Sequence, residues 1–266
     1  MLRILMAGLA LLAASACTVG LPSAVEAAPF ADRMAKAPFA DGVYCALETD
    51  EARAPLVRTS QADGENNCAT FSWQAARREF TARDTQDEEP EMTFTPADLG
   101  GGLFLLQMPV DEADLGETPY AFWLMTGAAH GDAVAFLPLP SDERVAAMAA
   151  RHPGVRLATH QVATPLLSVP VPEGSDENVA PEPQTRAVTY IAGGSAVDVR
   201  RFVRDLTVEL FAGLADEAAA EGAPLSQAIP MLVRDTAGGA DHPPTQAQQR
   251  DIEAVAETLG RILQQR

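Results

Sequence analysis

The chain has 266 residues, 47% of them hydrophobic, and a formal net charge of −18 at pH 7. That charge repels nucleic acid and anionic lipid, so neither is an expected partner. The apolar fraction is enough for a sizeable core, in one domain or in one domain with appendages. Among the 19 basic residues only Lys36 is a lysine, and Ala, Arg, Gly and Pro abound, a composition that points to a GC-rich bacterial genome.

Arg3 followed by the apolar and small residues 4–16 has the layout of a secretory signal. The run is shorter than the roughly 20 residues of a membrane-spanning helix, and no later stretch approaches that length. A chain without a membrane span, exported to the periplasm or outside the cell, is therefore expected. Two processing readings compete. Val25-Glu26-Ala27 places small residues at −3 and −1, with Pro22 upstream, and cleavage after Ala27 makes 1–27 the signal peptide. Alternatively Ala14-Ser15-Ala16-Cys17 resembles a lipobox without its first Leu, and Cys17 is lipidated, anchoring the protein to the bacterial envelope.

On either reading Cys17 lies outside the folded domain, leaving Cys45 and Cys68 as an even pair in an exported chain. A disulfide is expected. Closing a loop of about 24 residues contributes roughly 3 kcal/mol by restricting the unfolded state.

From residue 42 to 139 short apolar runs alternate with turn-formers, the pattern of β-structure. Strands are expected at 43–47, 70–73, 79–82, 103–108, 120–125 and 133–137, with the last two forming a hairpin. The run at 103–108 lacks alternation and predicts a strand covered on both faces. Gly100-Gly101-Gly102 before it permits a bulge or a close approach. Ser141, followed by Asp142 and Glu143, predicts an N-capped short helix that ends at His152-Pro153-Gly154.

Five prolines and several acids mark 163–186 as an excursion loop or linker. A strand follows at 187–191, and after Gly193-Gly194 a long helix over 196–220. Ser195 and Asp198 form a variant capping box, and Val199, Phe202, Val203, Leu206, Leu210 and Leu214 supply a buried stripe. Thr245 and Gln248 cap a terminal helix whose stripe is Ile252, Val255, Ala256, Leu259, Ile262 and Leu263. That stripe docks on the core or on another copy of the chain. The expected fold is α+β: a mainly antiparallel sheet with a long C-terminal helix packed on it and an additional terminal helix. Residues 28–220 form the domain, and 221–266 are a loop and an amphipathic helix.

For chemistry, Gly193-Gly194-Ser195 sits between a strand and a helix, where α/β-hydrolases carry their nucleophile, but the final glycine of G-x-S-x-G is absent. His242 is the one histidine downstream of Ser195. The simpler reading makes Ser195 a helix cap. His130, His152, His160 and His242 are scattered, without zinc-ligand spacing, and no metal or cofactor is expected. The acidic runs Asp84, Asp87, Glu88, Glu89, Glu91 and Asp111, Glu112, Asp114, Glu117 read as solvated hairpin loops rather than calcium sites. Trp73, Phe104, Tyr120, Phe122 and Trp123 read mostly as core, with a ligand groove as the other option. The leading expectation is a non-catalytic binding or interaction module with an unidentified protein or small-molecule partner in the envelope. A hydrolase using Ser195 and a scaffold self-associating through the terminal helix are the alternatives.

Overall fold

A computed structural model describes residues 21–24, 34–50, 53–59, 67–85, 92–109, 121–136, 142–163, 185–236 and 240–264. Eight strands close a barrel: β2 (Gly42–Asp50), β4 (Cys68–Gln74), β5 (Glu79–Asp84), β6 (Met92–Gly100), β7 (Leu103–Pro109), β8 (Phe122–His130), β9 (Ala133–Phe136) and β12 (Met231–Arg234). All their pairings are antiparallel, and the ring closes because β12 lies between β9 and β2. The expectation of a mainly antiparallel sheet with helices packed on it holds. The closure into a barrel is the added finding.

Two strands carry more than the ring requires. One edge of β2 is shared by β4, through Gly42 to Cys45, and by β3 (Arg53–Arg58), from Ala46 onward. One edge of β8 is shared by β9, at Gly127 to His130, and by β1 (Leu21–Ser23), at Phe122 to Leu124. β1 then pairs in parallel with β11 (Thr185–Gly193), which pairs with β10 (Arg156–Ala163). Leu21–Ser23 therefore lies in the sheet, although the reading of 1–27 as a signal peptide places it in a discarded leader.

The inside of the barrel is aromatic. Period-2 alternation sends Tyr44, Phe71, Phe80, Phe94, Phe104 and Leu106 inward. Phe39, from the segment before β2, plugs the interior, stacked on Phe80 at 4.4 Å between ring centroids and edge-on to Tyr44 and Phe71, both at 5.4 Å. The opposite faces of the same strands, with Leu103 and Leu105 on β7 and Leu124 and Ala128 on β8, meet the helices. This is the two-sided burial expected of 103–108.

Four helices occur among the described residues: α1 (Asp142–Ala149), α2 (Ala196–Glu221), α3 (Leu225–Ala228) and α4 (Gln246–Gln264). α2 buries Val199, Phe202, Val203, Leu206 and Phe211, and its Thr207 hydroxyl is 3.2 Å from that of Thr126 on β8. Of its predicted stripe, Leu210 and Leu214 are only half-buried, and Phe211 takes their place in the core. α4 buries Ile252, Val255, Leu259 and Ile262 on this chain's own core, resolving the choice between core and second copy for that stripe. Residues 221–266 supply both β12 and α4. At the β6–β7 turn Gly102 has φ +91°, and an added Cβ would lie 2.8 Å from the Thr258 methyl. The bulge after Asp98 and the close approach of α4 both occur there.

The strands at β3, β6, β10 and β12 were not expected. β3 and β6 contain Pro55 and Pro96, which usually argue against a strand. Pro55 sits on a strand whose ladder partner is β2 alone, and Pro96 lies beyond the part of β6 paired to β5. Ala163 stands opposite Thr185 at the end of the β10–β11 ladder, and most of the stretch read as an excursion loop, 164–184, falls between them in sequence. Those residues lie outside the described part, as do Cys17, Ala27, Tyr120, Ser141 and the acidic residues 87–91 and 111–117.

Cys45 and Cys68 form a cross-strand disulfide between β2 and β4, with Cα atoms 4.1 Å apart, beside the fork where β2 passes from β4 to β3. Reduction, or the double substitution Cys45→Ala and Cys68→Ala, is expected to cost about 3 kcal/mol. The melting midpoint should fall by roughly 6–12 °C in a thermal melt; an unchanged midpoint would show that the bridge adds nothing.

Tyr44 donates its hydroxyl to the Ala40 carbonyl at 3.0 Å, and burial pushes its phenol up to about 12. Folding therefore favours the protonated form. Its contribution is intact below pH 10, where the unfolded phenol also keeps its proton, and is lost as pH climbs from 10 to 12, by about 3 kcal/mol in all. Urea titrations across this window should show a shallower decline for Tyr44→Phe than for the parent chain, and parallel declines would refute the assignment.

Candidate functional site

α1 ends where it does because Pro153 disfavours helical geometry at His152. Arg151 and His152 donate their amides to the carbonyls of Met148 and Ala149, and Val155 bonds back to His152 at 2.9 Å. The resulting turn lies against the start of α2. Gly154 is required there, since an added Cβ would sit 2.5 Å from Asp198 Cγ.

Between the turn and the helix lies an open cleft of about 810 Å3. α1 and its turn supply Met148, Arg151, His152 and Pro153, and one face of α2 supplies Asp198, Arg201, Asp205 and Glu209. His152 is largely covered, its ring edge-on to Phe202 at 5.7 Å, with Nε2 3.3 Å from Asp205 Oδ2. Arg151 pairs with Glu209 at the surface. Arg201 is exposed and has no ion pair among the described residues.

Ser195 stands at the edge of this region as the N-cap of α2. Its Oγ accepts the Asp198 amide at 3.1 Å, and its hydroxyl donates to Asp198 Oδ2 at 2.5 Å. A Glu at this position would reach back to the cap amide; the shorter Asp takes the hydroxyl instead. The serine bonds one carboxylate and His152 bonds another, so the Ser–His–Asp order of a triad does not form.

The other sequence candidates lie elsewhere. His242 forms a backbone bridge with Val57 of β3, with Nδ1 2.9 Å from the Pro243 carbonyl and Nε2 3.5 Å from Asp235. Several strands of the sheet separate it from Ser195. Beside it Arg58 joins Glu48 and Asp241, and these two acids, Glu48 foremost, hold its guanidinium pKa above the ordinary value. The cluster fastens the stretch before α4 to β3. His130 pairs with Asp251 at 3.1 Å across the β8–β9 turn, and His160 lies on β10 opposite Val188. Phe104 is in the barrel interior, Trp73 packs against that interior and Phe122 against the outer core. No group of three or more His, Cys, Asp or Glu side chains that could hold a metal occurs among the described residues. No helix there is long and apolar enough to cross a membrane.

Sequence reasoning set His152 aside as a turn residue and did not connect it with α2. The signal was present in the acids at Asp198, Asp205 and Glu209, which recur on one helical face, but nothing local said what that face would meet. No family model, curated protein or solved structure matches the chain.

If Ser195 acts as a cap, Ser195→Ala should lower unfolding free energy by about 1 kcal/mol, while Ser195→Gly should cost only a few tenths. Equal losses in urea melts would contradict the capping role.

Proposed function

We propose that this protein is an exported component of a bacterial envelope, in the periplasm or outside the cell, that works as a non-catalytic binding or interaction module, with the α1–α2 cleft as its ligand-facing surface. The observation that carries this reading is the commitment of the Ser195 hydroxyl to Asp198 while the nearest histidine of the cleft is committed to Asp205. A nucleophile needs a base within hydrogen-bond reach, and the serine of the familiar triad takes that base from a histidine, which Ser195 does not contact. The disulfide and the lack of a spanning helix among the described residues fit export. Within the cleft His152 and Arg151 are occupied by acids. Arg201 is the cation left to meet an acidic group of a ligand, in a chain whose overall charge would repel such a group elsewhere.

A hydrolase using Ser195 remains the second reading, because Asp198 joins the serine to the cleft that holds the His152–Asp205 pair. The scaffold reading loses its apolar surface, since the α4 stripe is spent on the barrel. Incubation of the exported protein with a fluorophosphonate probe, followed by peptide mass spectrometry, separates the first two. No adduct on Ser195 is expected, and a stoichiometric adduct would replace the binding module with a serine hydrolase.

A further inference from the structure

We infer that the mature chain keeps Leu21–Ser23, so that the leader is cut upstream of Leu21 and not after Ala27. The inference rests on what β1 does in the sheet. Its residues are paired on both sides, Leu21, Pro22 and Ser23 opposite Leu124, Trp123 and Phe122 of β8, and Ser23 opposite Ile191 of β11. Flanking amides complete the ladder: Ala24 donates to Ile191 and Ala121 to Ser23, each at 2.9 Å. All three residues are buried, Ser23 completely, and Leu21 belongs to the same core as Leu124, Ile191 and Val199.

Among the described residues β1 is also the strand through which the β10–β11 hairpin joins the barrel sheet, as the order β10-β11-β1-β8 shows. Deleting it would leave the edges of β11 and β8 about 10 Å apart, two strand spacings, with both rows of amides and carbonyls unpaired. Ile191, now fully buried, would line that gap. A leader is a transient segment and has no reason to complete such a seam. The cleft depends on the same seam, because α2 starts directly from β11.

Upstream of Leu21 the sequence offers the junction Ala14-Ser15-Ala16-Cys17. Cleavage there leaves β1 on the mature protein whether or not Cys17 then receives lipid.

The full-length precursor exported by a Gram-negative host provides the test, through the intact mass of the mature form. A start beyond Met1 and no later than Leu21 is expected, with or without a diacylglycerol increment on Cys17, and a start at Met1 or at Ala28 overturns the inference. Substitutions sharpen it, because a residue discarded with the leader cannot alter the mature protein. Leu21→Asp should lower the melting midpoint of the purified mature protein by about 5 °C or more, and Leu21→Ala by less, the milder change covering the case in which the Asp variant fails to accumulate. Midpoints identical to the parent would sink the idea. Ala27→Phe, which blocks a signal-peptidase cut at that bond, should be processed normally and appear as a mass shift in the mature chain; accumulation of uncut precursor would have the opposite meaning.

Discussion

A barrel exists only if its last edge meets its first, and here four residues, Met231–Arg234, make that meeting. β12 pairs with β9 through Met231, Leu232 and Val233 and with β2 through Leu232, Val233 and Arg234. Its exit is fastened as well: Arg234 donates its amide to Asp132 and Asp235 donates to Val43, both at 2.8 Å. The capping residue of α4 completes the closure. Gln248 accepts the Thr245 amide at 2.8 Å, returns its own amide to the Thr245 hydroxyl at 3.2 Å, and donates its side chain to the Arg234 carbonyl at 2.6 Å. One fully buried side chain thus starts the terminal helix and ties it to the closing strand. Asp251, one turn further, accepts the Asp132 amide at 3.0 Å and contacts His130. Helix and closure are therefore cooperative, and loss of either exposes the apolar outer face of β8 and β9.

Closure also explains why β2 and β8 fork. An eight-stranded ring is small, and its strands lean across the barrel axis, so a nine-residue strand outruns the partner beside it. The surplus edge must be covered or it becomes a template for another chain. On β2 the cover is β3, whose other side is held by His242 through Val57 and by Asp241 through Arg58. On β8 the cover is β1, followed by β11 and β10. The disulfide sits at the first fork, where β2 changes partner from β4 to β3.

Much of this was legible. Alternation and turn chemistry located six of the barrel strands, and two-sided burial of 103–108 followed from its unbroken apolar run. Both helix caps occur where their residues predict, although only Thr245 and Gln248 close a reciprocal box, and the cysteine pair follows from parity and the expectation of export. The missing strands were hidden for different physical reasons. β12 is too short to show a period, and Pro55 and Pro96 signal against strands, although Pro55 lies on a strand with one ladder partner and Pro96 beyond the part of β6 paired to β5. β10 alternates but lies among His and Gln rather than large apolar residues. Leu21–Ser23 was hidden by its place just after the apolar run 4–16, within the stretch 1–27 read as a signal peptide. Closure itself has no local signature, because it is decided by whether one distant short strand completes the ring.

The cleft shows how one methylene changes the reading of a motif. With Glu at the third helical position, the carboxylate would reach the cap amide and leave the Ser195 hydroxyl as an acceptor with a free proton. Asp is too short, so it accepts that proton in a hydrogen bond and binds the serine twice. The same carboxylate is wedged against Gly154, where no side chain could fit, which holds it in place when the surrounding solvent would otherwise compete. The Gly-Gly-Ser sequence that resembles a nucleophile turn is thereby satisfied as a structural joint, connecting β11, the α1 turn and the first turn of α2. Its conformation depends on β11 being held to the barrel, so the strand that bridges β11 and β8 also sets the geometry of the cleft.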